Sequence, residues 1–247
     1  MNRLLLLLLL CCCLPLLSFC QGNATQPRSR VLVFSKTKGF RHESIGAGKV
    51  ALLKLAADNG FDADTTEDAA AFTADNLKRY KAVVFLSTTG DVLDGAQQAA
   101  FEGYIRGGNG YVGIHAATDT EYDWPWYNKL VGAYFESHPK QQNAVLQVVN
   151  NTHPATSFLP NRWQRYDEWY NFKSFNPDVK VLLKIDETTY EGGKMNNNHP
   201  MAWFHNYDGG RAFYTALGHT DASFSEPLFL RHVLAGIQYA MGTERKK

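Results

Sequence analysis

The sequence predicts an α/β fold: a mostly parallel sheet with helices on both faces. Three observations carry this. Short, continuous apolar runs recur through the first half of the chain, as buried parallel strands require. Amphipathic stretches closed by Gly or Asn-Gly separate them, so strand and helix alternate. Each apolar run also breaks into small and polar residues, which is how an open sheet builds a site at the carboxyl ends of its strands.

Taken in order, Val31 to Phe34 is the first buried strand. The polar loop Ser35 to Ser44 follows it, then a helix to about Asn59, where Asn59-Gly60 stops it. Phe61 to Thr66 reads as strand two, and Thr73 to Leu77 as a capped helical turn. Strand three, Ala82 to Leu86, ends in Ser87-Thr88-Thr89-Gly90. Asp94 starts a helix through Phe101, Tyr104 and Ile105 that Gly107-Gly108 stops. Strand four begins the stretch Gly110 to Trp126. It turns abruptly at His115-Ala116-Ala117 and delivers Thr118, Asp119, Thr120, Glu121 and Asp123 into a loop. Gly113, Ala116 and Ala117 permit a tight turn there.

The later half changes character. Val145 to Val149 and Val179 to Ile185 read as strands. Met201 to Tyr207 and Arg211 to Leu217 flank the hairpin signal Asp208-Gly209-Gly210. A final helix runs from about Glu226 to Met241, with Leu228, Val233, Ile237 and Ala240 on one face.

The first 20 residues read as a signal peptide rather than as fold. Arg3 precedes the apolar run Leu4 to Leu17, which Pro15 interrupts. Leu17-Ser18-Phe19-Cys20 resembles a bacterial lipobox, although Phe19 departs from the small residue preferred there. The expectation is an exported protein, periplasmic or anchored at the outer membrane through a lipid on Cys20, with plain secretion as the alternative. Residues 21–29 read as a polar tether and 30–242 as a single domain, with no linker, repeat or charge run inside it.

All four Cys lie in that leader. The remaining chain has no thiol for a nucleophile, a disulfide or a thiolate metal site. Lys and Arg total 25 against 24 Asp and Glu. With no basic stripe, nucleic-acid binding is not expected.

Chemistry is expected where His and carboxylates gather. Of the eight His, His42 follows strand one, His115 follows strand four and His219 follows the last hairpin strand. All three should face the carboxyl edge of one sheet. His suits proton transfer near neutral pH and metal ligation. Glu168, in Asp167-Glu168-Trp169-Tyr170, joins them as an acid/base, a metal ligand or a sugar-hydroxyl acceptor. His138 is a further candidate. His153 reads as a turn or cap residue and His232 as a helix-surface residue. Asn196-Asn197-Asn198-His199-Pro200 reads as a lid or a solvated loop. Aromatic faces stack on sugar rings, so Trp124, Trp126, Trp169 and Trp203 fit a carbohydrate ligand. No G-x-S-x-G elbow, G-x-x-x-x-G-K-[ST] phosphate loop, strand-following G-x-G-x-x-G, H-E-x-x-H or paired C-x-x-C is present.

At Gly113-Ile114-His115-Ala116-Ala117-Thr118-Asp119 the chain resembles the ThuA-like (trehalose-utilisation) family of the class I glutamine amidotransferase-like superfamily. Lys38-Gly39-Phe40-Arg41-His42, Val84 to Asp91, Tyr122 to Tyr127, Leu130 to Phe135, Ser137-His138-Pro139, Asp167 to Phe172, His199 to Trp203 and Leu217 to Thr220 extend the resemblance over nearly the whole domain. It implies a flavodoxin-like, amidotransferase-type sheet. In true class I amidotransferases the strand-four elbow carries a Cys nucleophile with a downstream His. Here the elbow carries His115, and His219 matches the downstream His. Without a thiol, glutamine hydrolysis by thiolate attack is excluded.

The family is linked to disaccharide use beside dehydrogenases that form 3-keto sugars. A keto group acidifies the neighbouring C–H, so a base and an acid can drive elimination or net hydrolysis. The resemblance therefore implies an enzyme acting on disaccharides, glycosides or their 3-keto derivatives, with a sugar 3-dehydrogenase as a pathway partner. His115, His219, Glu168 and Asp119 are the expected catalytic groups. Arg41, His42, Thr89, Glu121, Trp124, Trp126, His138 and Trp169 are the expected substrate contacts. A divalent metal is the one candidate cofactor, with His42, His115, His138, Glu168 and His219 as candidate ligands. The alternative is a non-catalytic carbohydrate-binding protein using the same pocket.

Overall fold

The apolar runs assemble into one sheet, seen in a computed structural model that describes residues 28–243. The expected signal segment and most of the tether lie outside the described residues. The strands are β1 (Arg30–Phe34), β2 (Asp62–Thr66), β3 (Ala82–Leu86), β4 (Gly110–Ile114), β5 (Tyr134–Ser137), β6 (Gln142–Val148), β7 (Arg162–Asp167), β8 (Asn171–Lys173), β9 (Lys180–Ile185), β10 (His199–Tyr207) and β11 (Gly210–Thr215). The helices are α1 (Ile45–Asp58), α2 (Ala74–Leu77), α3 (Gly95–Arg106), α4 (Pro125–Val131) and α5 (Pro227–Met241).

The nine-stranded sheet has the order β2-β1-β3-β4-β11-β10-β9-β6-β7. Its first five strands are mutually parallel. From β11 onward every neighbour is antiparallel. β5 and β8 pair separately. The α/β expectation therefore holds. The sequence missed β5, β7 and β8. β7 is the far edge strand and alternates buried with exposed residues through RWQRYD, but two of its three buried residues are Arg165 and Asp167, so the apolar alternation of a strand is missing.

Helices cover both faces. On one, Phe34, Phe72, Phe85, Phe101 and Tyr111 interlock edge to face or stacked beneath α3. Burying each such ring contributes about 1.5–3 kcal/mol. Asp94 and Gln97 form a capping box that starts α3. On the other face, α5 packs on β4 and β11. Its buried stripe is Phe229, His232, Val233, Gly236, Ile237 and Ala240. His232, expected on the helix surface, is instead fully buried, and its Nδ1 donates to the Ala155 carbonyl at 2.8 Å. His153 fills the turn role expected of it: its Nδ1 accepts from the Ala155 N–H at 3.1 Å.

The antiparallel half returns to the parallel half. Trp163 of β7 donates to Glu226, and Arg165 bonds Ser223, both beyond β11 in the chain. This closure brings the end of β7 against the loop that follows β11.

Candidate functional site

Four chain segments meet at the carboxyl edge of β1, β4, β7 and β11. His115 is the first residue after β4 and opens a single 3₁₀ turn to Thr118. Its φ is +50°, a region a non-Gly residue occupies only when its surroundings hold it there. Those surroundings are visible. The Tyr214 hydroxyl donates to the His115 carbonyl at 2.7 Å, and Nδ1 of His115 donates to the Ala216 carbonyl at 2.9 Å. The second bond assigns the tautomer and turns an unprotonated Nε2 toward the other site residues.

Gly218 has φ +110°, so the chain can turn sharply before His219. Asp167, at the end of β7 and fully buried, accepts the N–H groups of Gly218 at 3.0 Å and His219 at 3.1 Å. Its neighbour Glu168 then places Oε2 at 3.0 Å from Nδ1 of His219 and 3.5 Å from Nε2 of His115. Oε1 of Glu168 lies 3.2 Å from Nδ1 of His138. His42 completes the group, its ring centroid 4.7 Å from that of His115 and 5.2 Å from that of His219.

Burial would raise the Glu168 carboxyl, but the imidazoles of His115 and His219 beside it outweigh it and hold the group well below the usual carboxylate range. Burial pushes His42 down to about 3, with help from the neighbouring His115 and His219. His42 is therefore neutral at pH 7, and its buried Nδ1 has no hydrogen-bond partner. Asp119 is raised by burial, against a 2.6 Å hydrogen bond from the Tyr122 hydroxyl.

A cavity of about 370 Å³ opens over this group, lined by Phe40, His42, Asp119, Phe135, His138, Gln141, Glu168, Tyr170 and His219. The volume suits a small-molecule site. His115 is fully buried and stands behind that wall. A more voluminous hollow of about 900 Å³ near Asn59 and Arg231 holds no His or carboxylate.

His42, His115, Glu168 and His219 each offer one ligand atom, and these atoms all lie within 4.8 Å of one another. Three imidazoles and a carboxylate suit a divalent transition metal. The neutral, buried His42 and the backbone-fixed His115 are among the donors such an ion would use. His138, the fifth candidate ligand, is outside this set and is more exposed.

Several expected substrate contacts lie elsewhere. Trp169 is fully buried and donates to the Gln142 carbonyl, and Trp203 is fully buried and donates to the Val131 carbonyl. Trp124 donates to Glu102 and Trp126 to Asp208. None lines the cavity, because each indole N–H finds an internal partner that anchors the ring in the fold. Glu121 is 1% exposed and accepts from the Val92 and Leu93 N–H groups and from Gln98. It is a loop clamp. Thr89 is buried and holds the Phe40 carbonyl with its hydroxyl at 2.8 Å. Arg41 pairs with Glu67 beside a neighbouring cavity.

His199 bonds Glu187, Tyr190 and the Tyr170 carbonyl, and His205 bonds the Leu130 carbonyl; neither lines the cavity. The run Asn196 to Pro200 is tied down by Glu187, which accepts the Asn197 N–H, and forms no part of the cavity wall. Sequence reasoning missed Phe40, Phe135, Gln141 and Tyr170 as wall residues. Phe40 carried a signal, as an apolar ring isolated in a polar loop.

The fold and the site together define an α/β protein with a histidine–carboxylate centre at the carboxyl edge of its sheet. The pattern of the ThuA family, described as trehalose utilisation, matches residues 30–240, and the chain belongs to that family. A ThuA-like protein from Bacteroides uniformis is similar over 90% of this chain and 95% of its own, with 25% identity and a TM-score of 0.74. A ThuA-like protein from Parabacteroides merdae shares 21% identity over 89% of this chain and 92% of its own, with a TM-score of 0.72. A beta-galactosidase from Bacillus circulans shares 12% identity over 87% of this chain and 31% of its own, with a TM-score of 0.58, a likeness of fold alone. No curated protein matches the chain. The family description gives the protein a carbohydrate-related role.

Proposed function

We propose that this protein is an enzyme that cleaves disaccharides or related glycosides, as their 3-keto derivatives, by acid/base elimination. The observation that carries the reading is the joint placement of Asp119, Glu168 and His219 on one cavity wall, backed by buried His42 and His115.

Asp119 is the base. It faces the cavity, and burial raises its carboxyl above the ordinary value, which makes the carboxylate a stronger base. It removes the proton from the carbon beside the keto group. That electron pair becomes the C=C bond as the glycosidic C–O bond breaks. With no ion bound, the departing oxygen takes a proton from the imidazolium of His219, leaving an unsaturated keto sugar, a free alcohol and a neutral His219. Water addition to the unsaturated product gives net hydrolysis. A divalent ion held by His42, His115, Glu168 and His219 would instead supply a Lewis acid for the keto oxygen, and the departing oxygen would then take its proton from water in the cavity. His115, shielded from the cavity, serves by holding that centre and not by touching substrate.

The test is turnover of 3-keto-trehalose, read together with metal content. Asp119→Asn should cost about 10²–10⁴-fold in kcat while retaining any metal. Glu168→Gln should lose both. Unchanged turnover in both variants would overturn the roles. Saturable sugar binding without turnover by the unmodified protein would make it a binding protein. The reading includes export with a lipid on Cys20, for which the support is the leader sequence; palmitate labelling that persists in Cys20→Ala would overturn it.

A further inference from the structure

We propose that the site is a double cavity that takes a two-ring glycoside, one ring in each half, with the linking oxygen passing Phe40, Gln141 and His219. This rests on the carbohydrate reading above and names the shape of its ligand. A second cavity of about 700 Å³ adjoins the first, with Arg41, Glu43, Thr220, Asp221 and Ala222 in its wall. Phe40, Gln141 and His219 belong to both walls. A ligand that fills both halves crosses the line they mark.

Phe40 is built as a platform. Its ring is 66% exposed, one of the few large apolar side chains left in water. Its backbone is nevertheless fixed. Thr89 donates to the Phe40 carbonyl and accepts the Gly39 N–H, while the Lys38 N–H bonds the Thr89 carbonyl at 2.7 Å. The ring stands edge-on to His42, with centroids 4.9 Å apart and planes at 84°. A held, solvent-facing ring suits the C–H face of a sugar. This is the stacking role that the tryptophans do not fill.

The second half is polar with both donors and acceptors. Arg41 is fixed by two 2.9 Å bonds to Glu67, and Glu43 and Asp221 supply carboxylates. Hydroxyls satisfy such a wall, whereas a phosphorylated ring would meet Glu43 and Asp221 as like charges. At the boundary, Nε2 of Gln141 donates to Nε2 of His219 at 2.7 Å, so the second N–H of the Gln141 amide remains for an oxygen that arrives there.

The experiment compares methyl 3-keto-α-glucoside, which has one ring, with 3-keto-trehalose, which has two. Ala222 is exposed and lines the second half alone, so Ala222→Trp obstructs that half without touching the core. The expected result is at least a tenfold fall in kcat/KM for the two-ring substrate, with the one-ring substrate within twofold of the parent protein. Phe40→Ala should weaken both substrates at least threefold. Equal effects of Ala222→Trp on the two substrates, or none, would overturn the double cavity. If the parent protein turns over neither substrate, the catalytic reading fails by itself, and calorimetric binding of trehalose and methyl α-glucoside decides. Tighter trehalose binding that Ala222→Trp abolishes sustains the double cavity. Equal binding of the two, or none, overturns it.

Discussion

Nε2 of His115 lies 3.0 Å from Nδ1 of His219, although 104 residues separate them in the chain. Two imidazole nitrogens at that distance share one proton or flank a cation. Nδ1 of His115 already donates to the Ala216 carbonyl, so its Nε2 is the acceptor and His219 the donor. The same His219 nitrogen lies 3.0 Å from Glu168. One N–H thus faces two acceptors, an arrangement that a second proton or a bound cation completes.

A bound cation should therefore be measurable. The purified domain should retain a divalent transition metal near one equivalent, and chelation should lower its Tm. A ligand present at a hundred times its dissociation constant adds about 2.7 kcal/mol of stability. His42→Ala, which removes one of the four grouped ligands, should weaken metal binding at least tenfold, while His138→Ala leaves it nearly unchanged. Elemental analysis and thermal shift read both. A metal-free protein indifferent to chelator would leave the four groups as acid/base residues only.

Asp167 is expected to position the site. It holds the N–H groups of Gly218 and His219 and pairs with Arg165, itself buried. Removing one partner of such a pair typically costs about 3–5 kcal/mol. Asp167→Asn should lose stability on that scale in urea unfolding. It should also weaken metal binding about 10–100-fold, as loss of an outer-shell contact does. A variant that is destabilised but binds metal like the parent would make Asp167 purely structural.

Glu121→Ala should separate scaffold from site. It strips the partner from the Val92 and Leu93 N–H groups. The expected cost is about 2–4 kcal/mol, because buried donors are left unmet. Sugar affinity at a temperature where the variant stays folded should be unchanged. An affinity loss of tenfold or more would restore Glu121 as a substrate contact.

Stability should fall with acid in a defined window. Burial holds His232 down at about 4, against an ordinary value of 6.5. Between those values the unfolded chain binds a proton that the folded chain refuses. The stability tied to a neutral His232 is thus complete above pH 6.5 and is lost progressively as pH falls toward 4. By pH 5 the loss is on the order of 2 kcal/mol for this residue. His153, also held at about 4 by burial, adds to the same slope. Urea midpoints from pH 7.5 to 5 should trace this fall, and His232→Gln should flatten it. An identical slope in the variant would refute the assignment.

The parallel half of the fold was legible because its strands are buried on both faces and read as unbroken apolar runs. β3 and β4 begin and end where the apolar pattern does. β7 was not legible. Its outward residues are Arg162, Gln164 and Tyr166, and a half-exposed edge strand carries a diluted signal. His232 was misread for a related reason: a polar residue in an apolar helical stripe looks like surface until a carbonyl such as that of Ala155 is seen to satisfy it.

The sequence by itself determined that the chain folds as an α/β sheet, that no thiolate chemistry is available after Cys20, and that His42, His115 and His219 follow strands. Those properties are local: periodicity, residue type and strand ends are written in neighbouring residues. Only the tertiary structure decided that Glu168 joins the histidines, that His115 lies behind the wall, that Asp167 braces His219, and that the tryptophans belong to the core while Phe40 faces the cavity. These depend on how β7 returns to the loop after β11, a contact between residues about fifty positions apart, and nothing in the local pattern of either segment specifies that pairing.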